Sequence, residues 1–242
     1  MEGFALYDWL MTPIDAGRIH DIDLEHAWHG RLMVIAWGIL VPIGVIAARF
    51  FKVLPRQRFP EETDNRVWWR THLTAQWSSL AMMAVGVWLV RSTDAVLPTI
   101  TNSAWLHAWL GWAVLTLGLL QGVSGLLRGT KGGPKDPRGT LRGDHYDMTR
   151  RRLAFERFHK TSGYTVLLIA MVTVLTGMWQ ANGPLWMWLF IPSWWAFLAV
   201  LFVRFQRRGM VVDTYLAIWG PNPDHPGNTR REEARARRLA ER

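Results

Sequence analysis

The chain has 242 residues, a formal net charge of +9 and a hydrophobic fraction of 50%. The absence of cysteine excludes disulfides, thiolate-ligated iron–sulfur clusters and covalently attached c-type haem. The mean hydropathy of +0.03 averages long apolar blocks with strongly charged loops, so it does not indicate a soluble protein.

The chain opens on an acidic segment, residues 1–28, with six carboxylates and no basic start of the kind that begins a cleaved signal peptide. Residues 3–14 mix aromatic and aliphatic side chains with few charges. We expect this stretch to lie along the membrane surface, and residues 1–28 to form a periplasmic N-terminal segment.

Five apolar blocks follow, each close to the roughly 20 residues that cross the hydrocarbon core of a bilayer. They cover residues 30–51, 73–90, 105–127, 163–180 and 185–203. Pro42 and Gly44 are able to kink the first block. The sequence therefore predicts an all-α, polytopic membrane protein with five transmembrane helices.

Sixteen tryptophans support a membrane location. Seven lie near the ends of the blocks, as in the aromatic belts of membrane proteins: Trp28, Trp68, Trp69, Trp88, Trp105, Trp179 and Trp186. Four others lie deeper, and the sequence leaves open whether they pack between helices or line a cofactor: Trp37, Trp77, Trp109 and Trp112.

Basic residues are concentrated in alternate connections between the blocks. Of the 28 Lys and Arg residues, 25 lie in 49–70, in 128–160 and from 204 onward, which fall on one side of a five-span protein. The positive-inside rule places that side in the cytoplasm and the N-terminus outside. The charge thus indicates topology, with a supplementary role in binding anionic lipid, and nucleic acid is not predicted as a partner.

The same topology divides the chain into a membrane domain, residues 29–204, and a cytoplasmic tail, residues 205–242. A long cytoplasmic loop, 128–157, is rich in Gly and Pro in its first half and is predicted to be irregular there. Residues 228–242 are predicted to form an exposed helix. Three histidines in polar segments are expected to be solvated: His20, His145 and His225.

Four histidines stand at the openings of the first four blocks: His29, His72, His107 and His159. An ionisable side chain inside a membrane is a functional hypothesis by default. Because successive spans run in opposite directions, His29 and His107 share the outer face, whereas His72 and His159 share the inner face. Each pair is positioned to clamp one haem iron in a four-helix bundle.

Helix length favours electron transfer between two such haems. A span of about 20 residues is about 30 Å long, so haems inset from its two ends have their edges near each other at mid-membrane. Bis-histidine ligation leaves no open iron position.

Three glycines follow the histidines by one or four residues and are expected to let a flat ring approach or to pack helices tightly: Gly30, Gly111 and Gly163.

Other interpretations of the histidines remain open at this stage. Each can be an interfacial residue whose ring reaches the lipid headgroups. A zinc site is disfavoured, because four ligands on two faces cannot converge on one tetrahedral ion. His26, one turn before His29, can compete with it as a ligand.

Short motifs surround the four histidines: His29-Gly30-Arg31-Leu32-Met33, Trp37-Gly38, Pro42-Ile43-Gly44, His72 with Gln76, Leu106-His107-Ala108-Trp109-Leu110-Gly111, and Phe158-His159-Lys160 with Gly163-Tyr164. With these motifs the chain resembles the cytochrome b561 superfamily, in particular its bacterial members, over about residues 26–203. The resemblance implies a four-helix core, two non-covalently bound b haems ligated as His29/His107 and His72/His159, and transmembrane electron transfer.

The chain departs from the family pattern in two ways. Animal and plant members have six helices where five are predicted here. The family's ascorbate-associated Ala-Leu-Leu-Val-Tyr-Arg stretch is replaced by Val45-Ile46-Ala47-Ala48-Arg49, which argues against ascorbate as the natural donor.

Basic residues flank the two inner histidines: Arg70, Arg150, Arg151, Arg152 and Lys160. The resemblance also implies that such residues hold a small anionic reductant, and Arg70 and Lys160 are expected to contact the cofactor as well. Membrane topology and lipid phosphate are the competing explanation of these charges. We therefore expect an electron-transfer cytochrome of the bacterial inner membrane, acting as a quinone-linked or ferric-reductase-type oxidoreductase. Its expected partners are a quinone or small anionic reductant on the cytoplasmic side and a redox protein on the periplasmic side.

Two alternative functions stay open. The chain can be the membrane-anchor haem subunit of a larger dehydrogenase or reductase. It can also be a haem-free scaffold or transporter, although its spans show neither the broken helices nor the inverted repeats common in transporters.

Overall fold

The computed structural model describes residues 2–18, 22–91 and 102–240. In these ranges the named elements are helices, in the order α1 (Glu2–Met11), α2 (Leu24–Met33), a π-helical segment (Val34–Leu40), α3 (Val41–Phe50), α4 (Val67–Arg91), α5 (Asn102–Leu126), α6 (Arg150–Gln180), α7 (Leu185–Arg207), α8 (Thr214–Trp219) and α9 (Pro226–Ala240). Five stretches are long and apolar enough to cross a membrane, and we call them the first to fifth spans: Leu24–Phe50, Val67–Arg91, Ala104–Leu126, Arg150–Gln180 and Leu185–Arg207. The predicted all-α membrane architecture is confirmed.

The helices begin before the apolar blocks do. His29, His72 and His107 each lie five residues after the first residue of their helix, and His159 lies nine residues after Arg150. The predicted position at the helix openings is therefore wrong by at least a turn. Polar residues extend each helix at the membrane surface without adding to the hydrophobic block, so all four rings project from well inside a regular helix.

The first span widens into a π-helical segment just before Pro42. Proline has no N–H, so the carbonyl of Gly38, four residues earlier, lacks its usual helical donor. The indole N–H groups of Trp194 and Trp195 in α7 donate to this carbonyl, with N···O distances of 3.0 and 3.2 Å. The predicted kink is thus a local widening, and the neighbouring span satisfies its open carbonyl.

The first four spans surround an apolar cluster at mid-length, which we call the waist. The first span packs along α4, and α5 packs along α6. All four spans contribute to the buried members of the waist: Ala36, Trp37, Val41, Met83, Val114, Val166 and Ala170. The fifth span packs outside this bundle, where Trp195 and Ile191 meet Val174 and Met178 of α6.

The four deeper tryptophans fall into two groups. Trp37 is 5% exposed and belongs to the waist. Trp77, Trp109 and Trp112 are 49%, 59% and 49% exposed, so they are not buried between helices. Trp37 therefore packs between helices, whereas the lining of a cofactor stays a prediction.

Three connections interlock at the end of the bundle that carries the basic residues. We call residues 51–66, 127–149 and 210–230 together the cap. Lys131 Nζ lies 2.8 Å from Asp64 Oδ2, and the Tyr215 hydroxyl donates to the Tyr146 carbonyl at 2.8 Å. The irregular loop predicted over 128–157 ends at residue 149, because α6 begins at Arg150. The predicted tail helix is confirmed as α9.

The expectation that His145 and His225 are solvated is wrong. His145 is 3% exposed, and its ring packs against Tyr215 and Trp219 with centroid distances of 5.6 and 6.1 Å; His225 is half-buried. Burial first, and then the charge of Arg152, lower the pKa of His145 to about 3. Its polar sequence neighbours did not reveal this environment, because aromatic residues far along the chain provide it. His20 lies outside the described residues.

At the other end of the bundle, the N-terminal segment is tied to the turn between α6 and α7. Asn182 is 2% exposed; its side chain accepts from the Asp15 N–H and donates to the carbonyls of Asp15 and Arg18. The Arg18 guanidinium lies 4.6 Å from the centre of the Trp179 ring. Helix α1 leaves several apolar side chains exposed (Leu6, Tyr7, Trp9 and Met11); that it lies along a membrane surface stays a prediction.

Candidate functional site

The four histidines come together as two pairs. The ring centroids of His29 and His107 are 6.3 Å apart, with an interplanar angle of 85°. Those of His72 and His159 are 6.2 Å apart, with an angle of 75°. We call these the outer pair and the inner pair. Within the described ranges, no group of three or more His, Asp or Glu side chains gathers as a metal-ion cluster would.

Hydrogen bonds fix the tautomer of both outer rings. The Nδ1 atom of His29 lies 2.9 Å from the carbonyl oxygen of Gly86, and Nδ1 of His107 lies 3.0 Å from that of Thr173. A carbonyl only accepts, so each Nδ1 carries the proton and each Nε2 keeps its lone pair. In most metal-binding histidines one ring nitrogen binds the metal while the N–H of the other donates a hydrogen bond to the protein. Here Nε2 is the nitrogen left for a metal.

The inner pair is held in the same way, with one difference. Nδ1 of His72 lies 3.1 Å from the carbonyl oxygen of Gly44. Nδ1 of His159 lies 2.9 Å from the hydroxyl oxygen of Ser124, which itself donates to the Gln121 carbonyl at 2.9 Å. The side-chain amide nitrogen of Gln121, in the orientation that its own hydrogen bonds favour, lies 3.0 Å from the same Nδ1. The Gly44 carbonyl therefore fixes the tautomer of His72, whose Nε2 presents a lone pair, whereas Nδ1 of His159 is contacted by the side chains of Ser124 and Gln121.

The two pairs occupy two levels of the bundle. On the first span, 15 residues separate His29 from Gly44, whose carbonyl marks the inner level; on α4, 14 residues separate His72 from Gly86 at the outer level. At about 1.5 Å per residue, the levels are about 20 Å apart. The apolar waist lies between them.

Both pairs fit a single iron held between two imidazoles. A metal bound at Nε2 lies about 2 Å from that nitrogen and hence about 3 Å from the ring centroid, so two rings on opposite sides of one metal have centroids about 6 Å apart. The observed 6.3 and 6.2 Å match this spacing. A b-type haem, with axial imidazoles on both faces and no covalent link, fits the donor set of each pair.

The three glycines picked out by the sequence do not contact the histidines. A methyl group at Gly30 or Gly111 would meet nothing within 4 Å, and one at Gly163 would lie 3.4 Å from Gln121 Oε1. These glycines are close to the histidines in the sequence, but they do not contact them in the structure.

Glycines on the facing helices contact the outer rings instead. A methyl group at Gly177 would lie 2.9 Å from His107 Cε1, and one at Gly86 would lie 3.5 Å from His29 Nδ1. The missing side chain at Gly177 allows the His107 ring to approach the backbone of α6, whereas a methyl group at Gly86 would be in ordinary contact with His29. Sequence reasoning missed both positions, because only the helix pairing brings them to the histidines.

His26 is engaged elsewhere. Its Nδ1 lies 2.8 Å from both carboxylate oxygens of Asp23, the N-cap residue of α2. Hydrogen bonds from the His26 backbone and side chain lower the pKa of Asp23. This contact holds the ring at the start of the helix, while His29 is the residue that meets His107.

The two basic residues expected at the inner pair lie at the surface. Arg70 is exposed. Lys160 has a side chain that is 58% exposed and an Nζ atom 2.8 Å from Glu156 Oε2. The structure therefore pairs Lys160 with a carboxylate one turn before it.

Arg128 and Arg152 lie against aromatic rings beside the inner pair. The Arg128 guanidinium is 4.2 Å from the centre of the Trp69 ring, and that of Arg152 is 5.0 Å from the centre of the Phe155 ring. Each of these rings lies beside an inner histidine, with centroid distances of 6.4 and 5.1 Å. Arg152, one of the basic residues expected beside the inner haem, precedes His159 by seven residues, a spacing that puts both on one helix face.

Comparison with known proteins gives a family and distant relatives. Residues 28–182 match the family model described as eukaryotic cytochrome b561. A cytochrome b561, DM13 and DOMON domain-containing protein of Arabidopsis thaliana is 26% identical over 193 residues, which are 75% of this chain and 18% of that protein. Ferric-chelate reductase 1 of Homo sapiens and that of Mus musculus are 27% and 29% identical over 180 residues, in each case 72% of this chain and 26% of the relative.

The chain thus spans about a fifth to a quarter of the length of these curated relatives. The relatives are eukaryotic, so a bacterial source stays a prediction. No solved structure matches the chain significantly. The matched range 28–182 contains all four histidines and ends before the fifth span.

Proposed function

The chain belongs to the cytochrome b561 family of membrane proteins that transfer electrons by b-type haem, and we propose that it does so with two haems. One is held by His29 and His107, and the other by His72 and His159. The observation that carries the proposal is the meeting of the four histidines as two pairs, each with a centroid spacing suited to one iron.

Each haem, when bound, supplies an iron that gains or loses one electron. The protein contributes ligands whose rings are oriented by Nδ1–H hydrogen bonds, which also raise the basicity of the imidazoles and thereby tune the potential. Two protein ligands per iron leave no position for oxygen or substrate to bind the metal. We infer outer-sphere electron exchange at each end of the bundle.

We further propose that the inner haem exchanges electrons with a cytoplasmic-side or quinone-pool partner and the outer haem with a periplasmic-side partner. The clustering of 25 of 28 basic residues on the cap side supports this orientation. The name of the ferric-chelate reductase relatives supports a ferric chelate as one acceptor. Haem reduction by a quinol, compared with reduction by ascorbate, distinguishes the candidate donors.

A second candidate is a haem-bearing membrane module that serves a further redox domain or subunit. It is favoured by the relatives, in which the matched region is only a small part of a longer protein that can also contain DOMON domains. Copurification of a dehydrogenase or reductase with this chain would support it.

The haem content of the purified chain tests the main proposal. We expect two b haems per chain in dithionite-reduced minus oxidised spectra quantified as pyridine haemochrome. His29→Ala and His72→Ala should each leave one haem, while the control His26→Ala should leave two. A full complement in both ligand variants would overturn the ligand assignment, and a protein that stays colourless after addition of hemin would overturn the function.

A further inference from the structure

Trp37 lies midway between the two ligand levels. It is eight residues after His29 and seven residues before Gly44, whose carbonyl backs the inner pair. At about 1.5 Å per residue it stands roughly 10 Å along the helix from each level. It is 5% exposed and belongs to the waist, to which all four ligand-bearing spans contribute.

The indole ring packs tightly against the opposite side of the bundle. A methyl group at Gly118 of α5 would lie 3.2 Å from Trp37 Cζ2 and 3.5 Å from the terminal methyl of Met83. The ring of Trp37 therefore reaches from the first span to the third. Among the described residues that form the waist, Trp37 is the only aromatic one.

The backbone on both sides of this ring is held by side chains of other spans. The Ser79 hydroxyl oxygen lies 3.2 Å from the Ala36 carbonyl and 2.7 Å from that of Ala75. The indoles of Trp194 and Trp195 donate to the Gly38 carbonyl. The residues directly before and after Trp37 are thus fixed within the π-helical segment, a kind of irregularity often found at functional sites.

The indole N–H is the second unusual feature. Trp37 Nε1 is buried and has no hydrogen-bond partner. Leaving a buried donor unpaired costs about 1–3 kcal/mol, and a purely apolar side chain would avoid that cost. Stability alone does not account for a tryptophan at this position.

We propose that Trp37 is a positioning residue for electron transfer, whose ring fills the space between the two haems and couples them electronically. The inference rests on the proposed two-haem function. One electron passes from the ferrous iron of one site to the ferric iron of the other, so that the first becomes ferric and the second ferrous, and no proton moves. The indole itself is neither oxidised nor reduced. Its atoms fill the space between the spans that would otherwise be empty.

The test measures inter-haem electron transfer in the full chain reconstituted in nanodiscs, after rapid photoreduction, with both midpoint potentials determined in parallel. We expect Trp37→Leu to slow transfer about tenfold at matched driving force, because a void couples groups far more weakly than close-packed atoms do. Trp37→Phe, which keeps an aromatic ring, should slow it less.

Gly118→Ala provides a second route that leaves Trp37 in place. The added methyl crowds Cζ2 and should alter the transfer rate, whereas Gly122→Ala, whose methyl would meet Leu80 Cδ1 at the same 3.2 Å, should not. Trp188→Leu is the control. It also removes an indole whose buried N–H has no partner, but in the fifth span, which carries none of the paired histidines. Wild-type transfer rates in Trp37→Leu and Gly118→Ala, with two haems bound, would overturn the inference and leave the proposed function intact. A wild-type chain with fewer than two haems would instead overturn the function.

Discussion

The outer and inner pairs have nearly the same ring spacing, but they are supported by different chemistry. Both outer rings donate to backbone carbonyls, those of Gly86 and Thr173, and Nδ1 of His107 also lies 3.3 Å from the Thr176 hydroxyl oxygen. One inner ring donates to a carbonyl, whereas Nδ1 of the other contacts the side chains of Ser124 and Gln121. A carbonyl stays when its own side chain is substituted, whereas the hydroxyl is lost with a single mutation. The comparison indicates that the outer site is fixed by helix packing and that the inner site is open to tuning by side chains.

The surroundings of the pairs differ in the same direction. The outer end is covered by a short segment tied down through Asn182. The inner end lies beside a cap with its own buried aromatic cluster and beside the arginines Arg128 and Arg152. We therefore expect packing changes to act mainly on the outer pair, and polar or pH changes mainly on the inner pair.

The largest effect is expected from crowding the outer pair. Gly177→Ala places a methyl group 2.9 Å from His107 Cε1, closer than carbon atoms approach each other in proteins. The ring must turn or its helix must shift, so we predict loss of the outer haem and retention of the inner one. Haem quantification measures this, with the inner haem as internal control. Retention of two haems with an unchanged spectrum would contradict the prediction.

An intermediate effect is expected from Ser124→Ala. Removing the acceptor of the His159 Nδ1–H should weaken haem binding at the inner site about tenfold, the lower end for such supporting contacts. It should also raise the inner midpoint potential, because a less basic imidazole stabilises ferric iron less. Potentiometric titration resolves the two haems. Ser79→Ala makes the same chemical change at a serine bonded to backbone carbonyls rather than to a ligand; an equal shift there would refute the assignment.

The smallest effect is a pH dependence confined to the cap. The pKa of His145 is about 3 in the folded chain and near 6.5 when unfolded. Between these two pKa values, His145 binds a proton in the unfolded cap but not in the folded one. The free energy of unfolding of the cap is therefore highest above pH 6.5 and falls as the pH is lowered toward 3. Arg152, Lys131 and Arg128 oppose protonation, while Glu156 favours it.

Hydrogen exchange of residues 127–149 between pH 7 and pH 5 measures this decline. After correction for the intrinsic exchange rate, protection should fall with pH in the wild type and fall less in His145→Phe. Residues 12–18 at the outer end serve as the internal reference. Equal pH slopes in the two proteins would show that His145 is not responsible.

The sequence was sufficient for the large-scale architecture, because length and hydrophobicity fix where a chain crosses a membrane. The number of spans and the helical class follow directly from the apolar blocks. The positions of His29 and His107 on alternate spans follow from counting helices. Helix starts were misplaced, because a helix end is set by caps such as Asp23 and by polar turns that hydrophobicity does not register.

The details of the site could not be read from one sequence, because they depend on which helix faces which. Gly177 is 70 residues from His107 in the chain, and only the packing of α6 on α5 brings the two together. His145 looked solvated because its sequence neighbours are polar, while its burial comes from α8. Pro42 was recognised as a source of irregularity, but the indoles that compensate for it lie in another span.

The bond from α7 to Gly38 has a consequence for any attempt to make the protein smaller. A version trimmed after Gln180 would keep the four paired histidines, yet the carbonyl of Gly38 would lose both of its indole donors and would face lipid, where an unpaired polar group is costly. The fifth span, which carries none of the paired histidines, therefore supports the backbone of the first span. Anyone transplanting this core into a designed scaffold must carry α7 along or replace Pro42 with a residue that restores the missing donor.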